Sequence, residues 1–201
     1  MMIVVADYGM GNLRSVQKAF EFLGHQAVVT EDPGAAREAS HLVLPGDAAF
    51  GDAMQNIQRL GWEEAIHAHV ETGKPFLGIC VGLQLMFEQS EERGQHRGLG
   101  LLPGRVVRFP PAERVPQIGW NQIAIKRPAQ IVQGVPEGSF FYFVHSFYVA
   151  EARSEDCVAT TEYGLHYTSI AERDNVIGVQ FHPEKSQQVG LHMLQNFASM
   201  N

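Results

Sequence analysis

The chain has 201 residues, 45% of them hydrophobic and 18% charged, which is enough for one substantial domain and excludes a disordered polypeptide. The net charge is −7 and the fifteen Lys and Arg are scattered without a basic run, so neither nucleic acid nor an anionic membrane is indicated as main partner. No apolar run approaches the roughly 20 residues that span a bilayer, and Met1 to Tyr8 lacks the basic segment of a signal peptide, which makes a cytoplasmic protein the expectation. In that reducing setting Cys80 and Cys157 are separate thiols, each needing its own explanation.

The first half alternates strand-like and helical patterns. Met2 to Ala6 reads as a buried strand and is followed by the turn Gly9-Met10-Gly11-Asn12. Val16, Ala19, Phe20 and Leu23 then fall on one helical face, with Gly24 closing the helix. Gln26 to Thr30 is a second strand, and Leu42 to Leu44 a third that stops at Pro45-Gly46. One helix carrying Ile57, Leu60, Ala65, Ile66 and Val70 leads to Gly73-Lys74-Pro75. Strand Phe76 to Ile79 turns at Cys80 into a helix from Leu83 to Glu88. Such alternation predicts an α/β fold whose central, mostly parallel sheet is covered by helices.

From Leu99 the texture changes to short strands between turn residues: Val106 to Phe109, Gln122 to Ile125, Phe140 to Val149, Cys157 to Thr161, Thr168 to Glu172 and Val176 to Gln180. These predict antiparallel hairpins in the C-terminal half, closed by a helix from about Gln188 to Ala198. With no repeat, low-complexity tract or linker, residues 1–201 read as a single domain.

Gly78-Ile79-Cys80-Val81-Gly82 has the form of a nucleophile elbow with cysteine in the central place. A sharp strand-to-helix turn needs small flanking residues, lifts the side chain above the carboxyl ends of the strands, and sets it at a helix N-terminus that favours thiolate. The backbone N–H of Val81 would then point to where an oxyanion forms. The pattern alone is equally compatible with a buried structural cysteine, and Cys157, inside an apolar strand, reads as core. A thiol nucleophile needs an oriented base. His182 follows the apolar run Val176 to Phe181, and Glu184 lies two residues on across Pro183. In an extended segment residues i and i+2 share a side with Cβ atoms roughly 6–7 Å apart, within reach of carboxylate and imidazole. By itself such a pair also fits a surface turn. The other histidines, His145 excepted, lack a comparable setting, and most of them are expected to be solvated or satisfied locally. There is no CxxC, and His67 and His69 diverge on a helix, so no metal site is expected; no phosphate loop or dinucleotide fingerprint is present, so no cofactor is expected either.

Taken together, Gly78-x-Cys80-x-Gly82-x-Gln84 and His182-Pro183-Glu184, about a hundred residues downstream, resemble the class I, or triad, glutamine amidotransferases. Leu44-Pro45-Gly46-Asp47 is similar to that family's third element, the loop that completes the oxyanion hole. The resemblance implies that L-glutamine is the substrate and that Cys80, His182 and Glu184 are catalytic. It further implies oxyanion donors at Val81 and in the Gly46-Asp47 loop, and a grip on the amino acid by Gln84 and the backbone around Ser146-Phe147. Asp7 to Ser15, Pro45 to Gly51, Pro116 to Asn121 and Phe141 to Phe147 resemble a narrower group within the family, glutaminase subunits that pass ammonia to a (β/α)8 cyclase subunit. That resemblance implies a heterodimer with Asn12, Trp120, Tyr142 and Lys185 near the interface. Asp47 and Ala48 stand where members commonly have Val and Gly; alanine lacks glycine's tolerance for positive φ, so a peptide flip in this loop would be shaped differently. Rival readings are a triad glutaminase serving anthranilate or guanylate synthesis, a regulatory binder without chemistry, and an ester-cleaving α/β-hydrolase. The Asp7 to Ser15 segment speaks against the first, retention of Cys80, His182 and Glu184 against the second, and cysteine at the elbow against the third.

Overall fold

The computed structural model describes residues 2–150 and 152–201. The first half contains β1 (Met2–Ala6), α1 (Leu13–Phe22), β2 (Gln26–Thr30), α2 (Ala35–Glu38), β3 (His41–Gly46), α3 (Phe50–Arg59), α4 (Trp62–Glu71), β4 (Phe76–Cys80) and α5 (Val81–Leu85). The second half contains β5 (Phe87–Ser90), β6 (His96–Arg97), β7 (Leu102–Arg108), β8 (Gln117–Gln122), β9 (Ala124–Ile125), β10 (Phe140–His145), β11 (Phe147–Ala150), β12 (Cys157–Glu162), β13 (His166–Arg173), β14 (Val176–Val179) and α6 (Gln187–Ala198).

The large sheet has the order β2-β1-β3-β4-β14-β13-β11-β7-β5-β6, with β12 pairing β13 and β9. From β2 to β14 every pairing is parallel; β13, β11 and β7 continue it antiparallel. The parallel strands are near-continuous apolar runs because helices cover both faces, and β3, β4 and β14 are buried at every residue. α1 buries Val16, Ala19 and Phe20, and α3 buries Phe50, Ala53, Met54 and Ile57, each at helical spacing. β8 and β10 form a separate two-stranded ribbon. No helix among the described residues is long and apolar enough to cross a membrane.

Several elements differ from the sequence expectation, and each difference has a local cause. The single helix expected through Ile57 and Val70 is two helices, α3 and α4, broken where Gly61 takes φ +78°. The strand expected over Leu42 to Leu44 runs on through Pro45-Gly46, because β4 offers partners as far as Pro45 opposite Ile79 and Gly46 opposite Cys80. The helix expected from Leu83 to Glu88 starts earlier, at Val81, and stops at Leu85; Phe87–Ser90 pairs with β7 instead. Phe140 to Val149 is two strands: β10 joins the ribbon and β11 the main sheet, with Ser146 between them. The strand expected over Gln122 to Ile125 splits into β8, which starts at Gln117, and the short β9.

Candidate active site

Cys80 ends β4 with φ 57° and ψ −110°, a backbone conformation that side-chain-bearing residues rarely adopt. The glycines around it make that turn possible by close packing. A Cβ on Gly82 would lie 1.9 Å from the Leu44 carbonyl oxygen, and one on Gly78 would lie 2.5 Å from the Gly82 oxygen. Gly46, opposite Cys80 in the sheet register, has the Val81 Cβ and the Tyr8 hydroxyl 2.8 Å from the place a side chain would take. The elbow and the Pro45-Gly46 strand end are therefore one packed unit. Tyr8 adds to it by donating its buried hydroxyl to the Pro45 carbonyl at 2.7 Å.

His182 lies beyond β14, and its backbone N–H is fixed by the Tyr142 carbonyl at 2.9 Å. Its Nδ1 is 2.8 Å from Glu184 Oε1. This meeting was expected, but its geometry is not that of an extended segment. Pro183–Lys185 is a 3-10 turn, in which Pro183 sits at the first helical position and swings the Glu184 carboxylate back under the ring. Both side chains are buried, at 4% and 0% exposure. Burial pulls the His182 imidazole down, but the charge and hydrogen bonding of Cys80 and then of Glu184 outweigh it and hold the group well above its ordinary range, at about 10. A sulfur, an imidazole and a carboxylate thus act on one another in sequence, in a site where burial strengthens each interaction.

Cys80 and His182 line a cavity of about 280 Å³ together with Asp47, Val81, Gln84, Ser146, Phe147 and Lys185, whereas Glu184 is buried against His182 and neither it nor Gly46 lines the cavity. Gln84 spends both side-chain N–H groups inside the protein, on the Phe147 carbonyl at 3.0 Å and on Gln180 Oε1 at 3.1 Å. Its carbonyl oxygen is what remains for a ligand, an acceptor suited to an ammonium group. The Asp47 carboxylate is turned to the Gly11 N–H at 2.8 Å. Neither Asp47 nor Ala48 has positive φ among the described residues, so the loop as it stands asks nothing of Ala48 that only glycine gives. No group of three or more His, Cys, Asp or Glu among the described residues could hold a metal ion.

A description of the class-I glutamine amidotransferase family matches residues 4–200 of the chain. The chain belongs to that family. Among curated proteins this amidotransferase is 54% identical to "Imidazole glycerol phosphate synthase subunit HisH" of Syntrophotalea carbinolica, over 99% of this chain and 100% of that protein. It is 52% identical to the protein of the same name from Aquifex aeolicus, over 98% and 96% of the two chains. Among solved structures it resembles a glutamine amidotransferase with TM-score 0.77 at 18% identity, covering 98% of both chains. It also resembles PurLQS from Thermotoga maritima with TM-score 0.75 at 18% identity, covering 98% of this chain and 96% of that one.

The remaining residues expected to be functional lie outside the amidotransferase cavity, Lys185 excepted. Trp120 and Tyr142 face each other across the β8–β10 ribbon, ring centroids 6.1 Å apart, and Trp120 is 47% exposed. Ile118 and Phe140 extend the same ribbon with 63% and 52% exposure. Asn12 stands at the start of α1 and makes no side-chain cap bond. Sequence reasoning missed Glu92, Arg93 and Gln180. Glu92 and Arg93 line the cavity mouth, and Glu92 Oε2 accepts the Phe50 N–H at 2.8 Å, capping the helix that follows the Asp47 loop. Arg93 has φ 57° in a tight turn before Gly94, and no motif signals it. Gln180 sits two residues before His182, its side-chain nitrogen 3.8 Å from Cys80 Sγ. Two of the histidines expected to be solvated or satisfied locally, His41 and His69, are buried. His69 is satisfied by the Ala36 and Pro75 carbonyls, and His41 Nδ1 meets Ser40 Oγ.

Proposed function

We propose that residues 1–201 form one glutaminase domain that hydrolyses L-glutamine through Cys80, His182 and Glu184 and passes the ammonia to the (β/α)8 cyclase subunit of imidazole glycerol phosphate synthase. The observation that carries the chemistry is the pairing of an elbow cysteine held at φ 57° with a buried imidazole whose far nitrogen is 2.8 Å from a carboxylate. Cys80 thiolate attacks the side-chain carbonyl carbon of glutamine, and the oxygen becomes an oxyanion received by the Val81 N–H and by the Gly46-Asp47 loop. His182, held charged by its neighbours, gives its proton to the departing nitrogen as the C–N bond breaks, which releases ammonia and leaves a glutamyl thioester. The neutral imidazole then takes a proton from water, whose oxygen attacks the thioester and frees glutamate. Glu184 holds the ring in the tautomer both steps need. Gln84 and the Ser146-Phe147 backbone hold the amino-acid end.

Ammonia in bulk water at neutral pH becomes ammonium and is no longer a nucleophile, so its user must be close by. Two relatives at 54% and 52% identity carry the name of the synthase subunit, and the exposed apolar ribbon supplies a surface for a partner. In the synthase the ammonia would serve to make imidazole glycerol phosphate and an aminoimidazole carboxamide ribotide in histidine biosynthesis, in the cytoplasm. Trp120 and Tyr142 are read as apolar anchors of the interface, with Asn12 and Lys185 at its polar parts. The ribbon is one hydrogen bond from the chemistry, since the Tyr142 carbonyl holds the His182 N–H.

The test is glutamate release by the purified chain, alone and with the cyclase subunit and its nucleotide ligand. Stimulation supports the assignment, and its absence counts against this partner. Full turnover by Cys80→Ala would sink the mechanism.

A further inference from the structure

The sulfur of Cys80 is buried, and α5, which follows it, is only five residues long, too short to supply a full helix dipole. A thiolate there needs specific donors. Besides His182, the fold brings two polar groups to the sulfur: the Val144 carbonyl oxygen at 3.8 Å, an acceptor, and the Gln180 side-chain nitrogen at 3.8 Å, a donor. A thiol can give its hydrogen to Val144; once ionised it can only accept.

We infer that Gln180 is a further catalytic residue, whose side-chain N–H stabilises the Cys80 thiolate and is aimed at it by a relay that starts at the Phe147 carbonyl. The inference rests on the reading of Cys80 as the nucleophile. Gln180 is fully buried, and its backbone N–H is fixed by the Ser169 carbonyl at 2.9 Å. Which end of its amide meets the sulfur is decided by chemistry rather than by choice. The Phe147 carbonyl can only accept, so the Gln84 group 3.0 Å from it is the nitrogen. The second N–H of that nitrogen faces Gln180 at 3.1 Å, so the Gln180 atom there is the oxygen. What is left to face Cys80 is the Gln180 nitrogen. Turning Gln84 over would set its oxygen against the Phe147 carbonyl oxygen, and turning Gln180 over would set its nitrogen against the Gln84 nitrogen, each leaving costly unpaired polar groups inside the protein. The His145 Nδ1 donates to the same Phe147 carbonyl at 2.7 Å, which holds the head of the relay in place.

The relay joins the residue read as gripping the substrate, Gln84, to the nucleophile through one intervening side chain. It also explains why a buried glutamine stands just past β14, on the way to His182: a hydrophobic residue would fill the space but leave the ionised sulfur with one donor fewer.

The test is alkylation of Cys80 by iodoacetamide as a function of pH, followed by mass spectrometry of the Cys80 and Cys157 peptides, in the wild-type chain and in Gln180→Met and Gln180→Glu. Loss of the donor moves the midpoint of the Cys80 profile up by about one pH unit, which slows alkylation about tenfold on the rising limb. Gln180→Glu moves it further, because a carboxylate adds a like charge beside the thiolate. The Cys157 profile, on β12, stays where it was and reports that the variant is folded. Should Gln180→Met unfold, seen as faster Cys157 alkylation, the isosteric Gln180→Glu carries the same test, since its carboxylate still accepts from Gln84. An unmoved Cys80 profile in either folded variant overturns the role of Gln180. Undiminished glutamine turnover by Cys80→Ala is a distinct result, which removes the nucleophile reading itself.

Discussion

The carboxylate of Asp47 accepts the backbone N–H of Gly11 at 2.8 Å, fastening the residue after Gly46 to the turn that precedes α1. Gly46 pairs with Cys80 in the sheet, so this bond anchors the peptide next to the proposed oxyanion site. A second carboxylate, Glu92, holds the far end of the same loop through the Phe50 N–H at 2.8 Å.

Breaking the first anchor should free the loop at small cost in stability. Asp47→Ala removes one exposed charge-assisted bond, worth about 1 kcal/mol or less. Its thermal midpoint should fall by only a few degrees, while glutaminase turnover without the cyclase rises and the fold-stimulation by the cyclase shrinks. Steady-state assays with and without the partner check this; an unchanged ratio would show that the anchor plays no part in setting the loop.

Glycine at the elbow should be far less replaceable than glycine at a surface turn. A Cβ on Gly82 meets the Leu44 backbone oxygen at 1.9 Å, so Gly82→Ala must displace β3 or α5 and should cost about 3 kcal/mol or more. Gly24 has nothing within 4 Å, but its φ of +84° makes Gly24→Ala cost about 1 kcal/mol. Urea unfolding of both variants measures the difference.

The coupling of His182 to Cys80 predicts a pH dependence on the alkaline side. The folded-state value is raised, to about 10, above the unfolded reference near 6.5, so the folded protein binds the extra proton between these limits. The stabilisation is complete below about pH 6.5 and is lost as pH rises towards 10. Cys80→Ala removes the charge that contributes most to raising His182, and should flatten the fall in urea midpoint across that window.

His145 predicts the opposite limb. Burial holds it down to about 4, with the hydrogen bond to Phe147 only partly offsetting, so between about 6.5 and 4 the unfolded chain binds the proton and the folded one does not. Acidification through that range should cost on the order of 3 kcal/mol at this site alone. His145→Gln should lessen the slope; urea midpoints from neutral pH down to pH 4 test it.

The ribbon should matter for the partner and little for the fold. Trp120 is 47% exposed, so Trp120→Ala should leave the thermal midpoint nearly unchanged. If Trp120 is the aromatic anchor proposed for the interface, its loss should weaken binding of the cyclase subunit by about 2 kcal/mol, roughly thirtyfold in Kd. Calorimetric titration with the cyclase measures both the affinity and any loss of stoichiometry.

Local sequence patterns carried much of this protein. The elbow was legible because Gly78, Cys80 and Gly82 crowd one turn, and the alternation of apolar strands with helices was legible as a covered parallel sheet. His182 and Glu184 were legible as partners because they are two residues apart. The means of their meeting was not, since Pro183 begins a 3-10 turn where an extended segment was expected. Breaks were harder to see. Gly61 divides one apolar helical pattern into α3 and α4, and Ser146 sends β10 and β11 to different sheets, because the competing strand partners lie far along the chain.

What the sequence determined by itself is therefore the set of groups proposed to react, Cys80, His182 and Glu184, because each is marked by neighbours within a few residues. What only the tertiary structure decided is which buried side chains surround the proposed nucleophile. Gln84, Phe147 and Gln180 are separated by 63 and 96 positions along the chain in their two contacts with Gln84, yet they form one directed line of hydrogen bonds ending on the sulfur. Hydrogen-bond direction depends on which atom faces which across the sheet, and that is set by strand order and register rather than by any stretch of sequence.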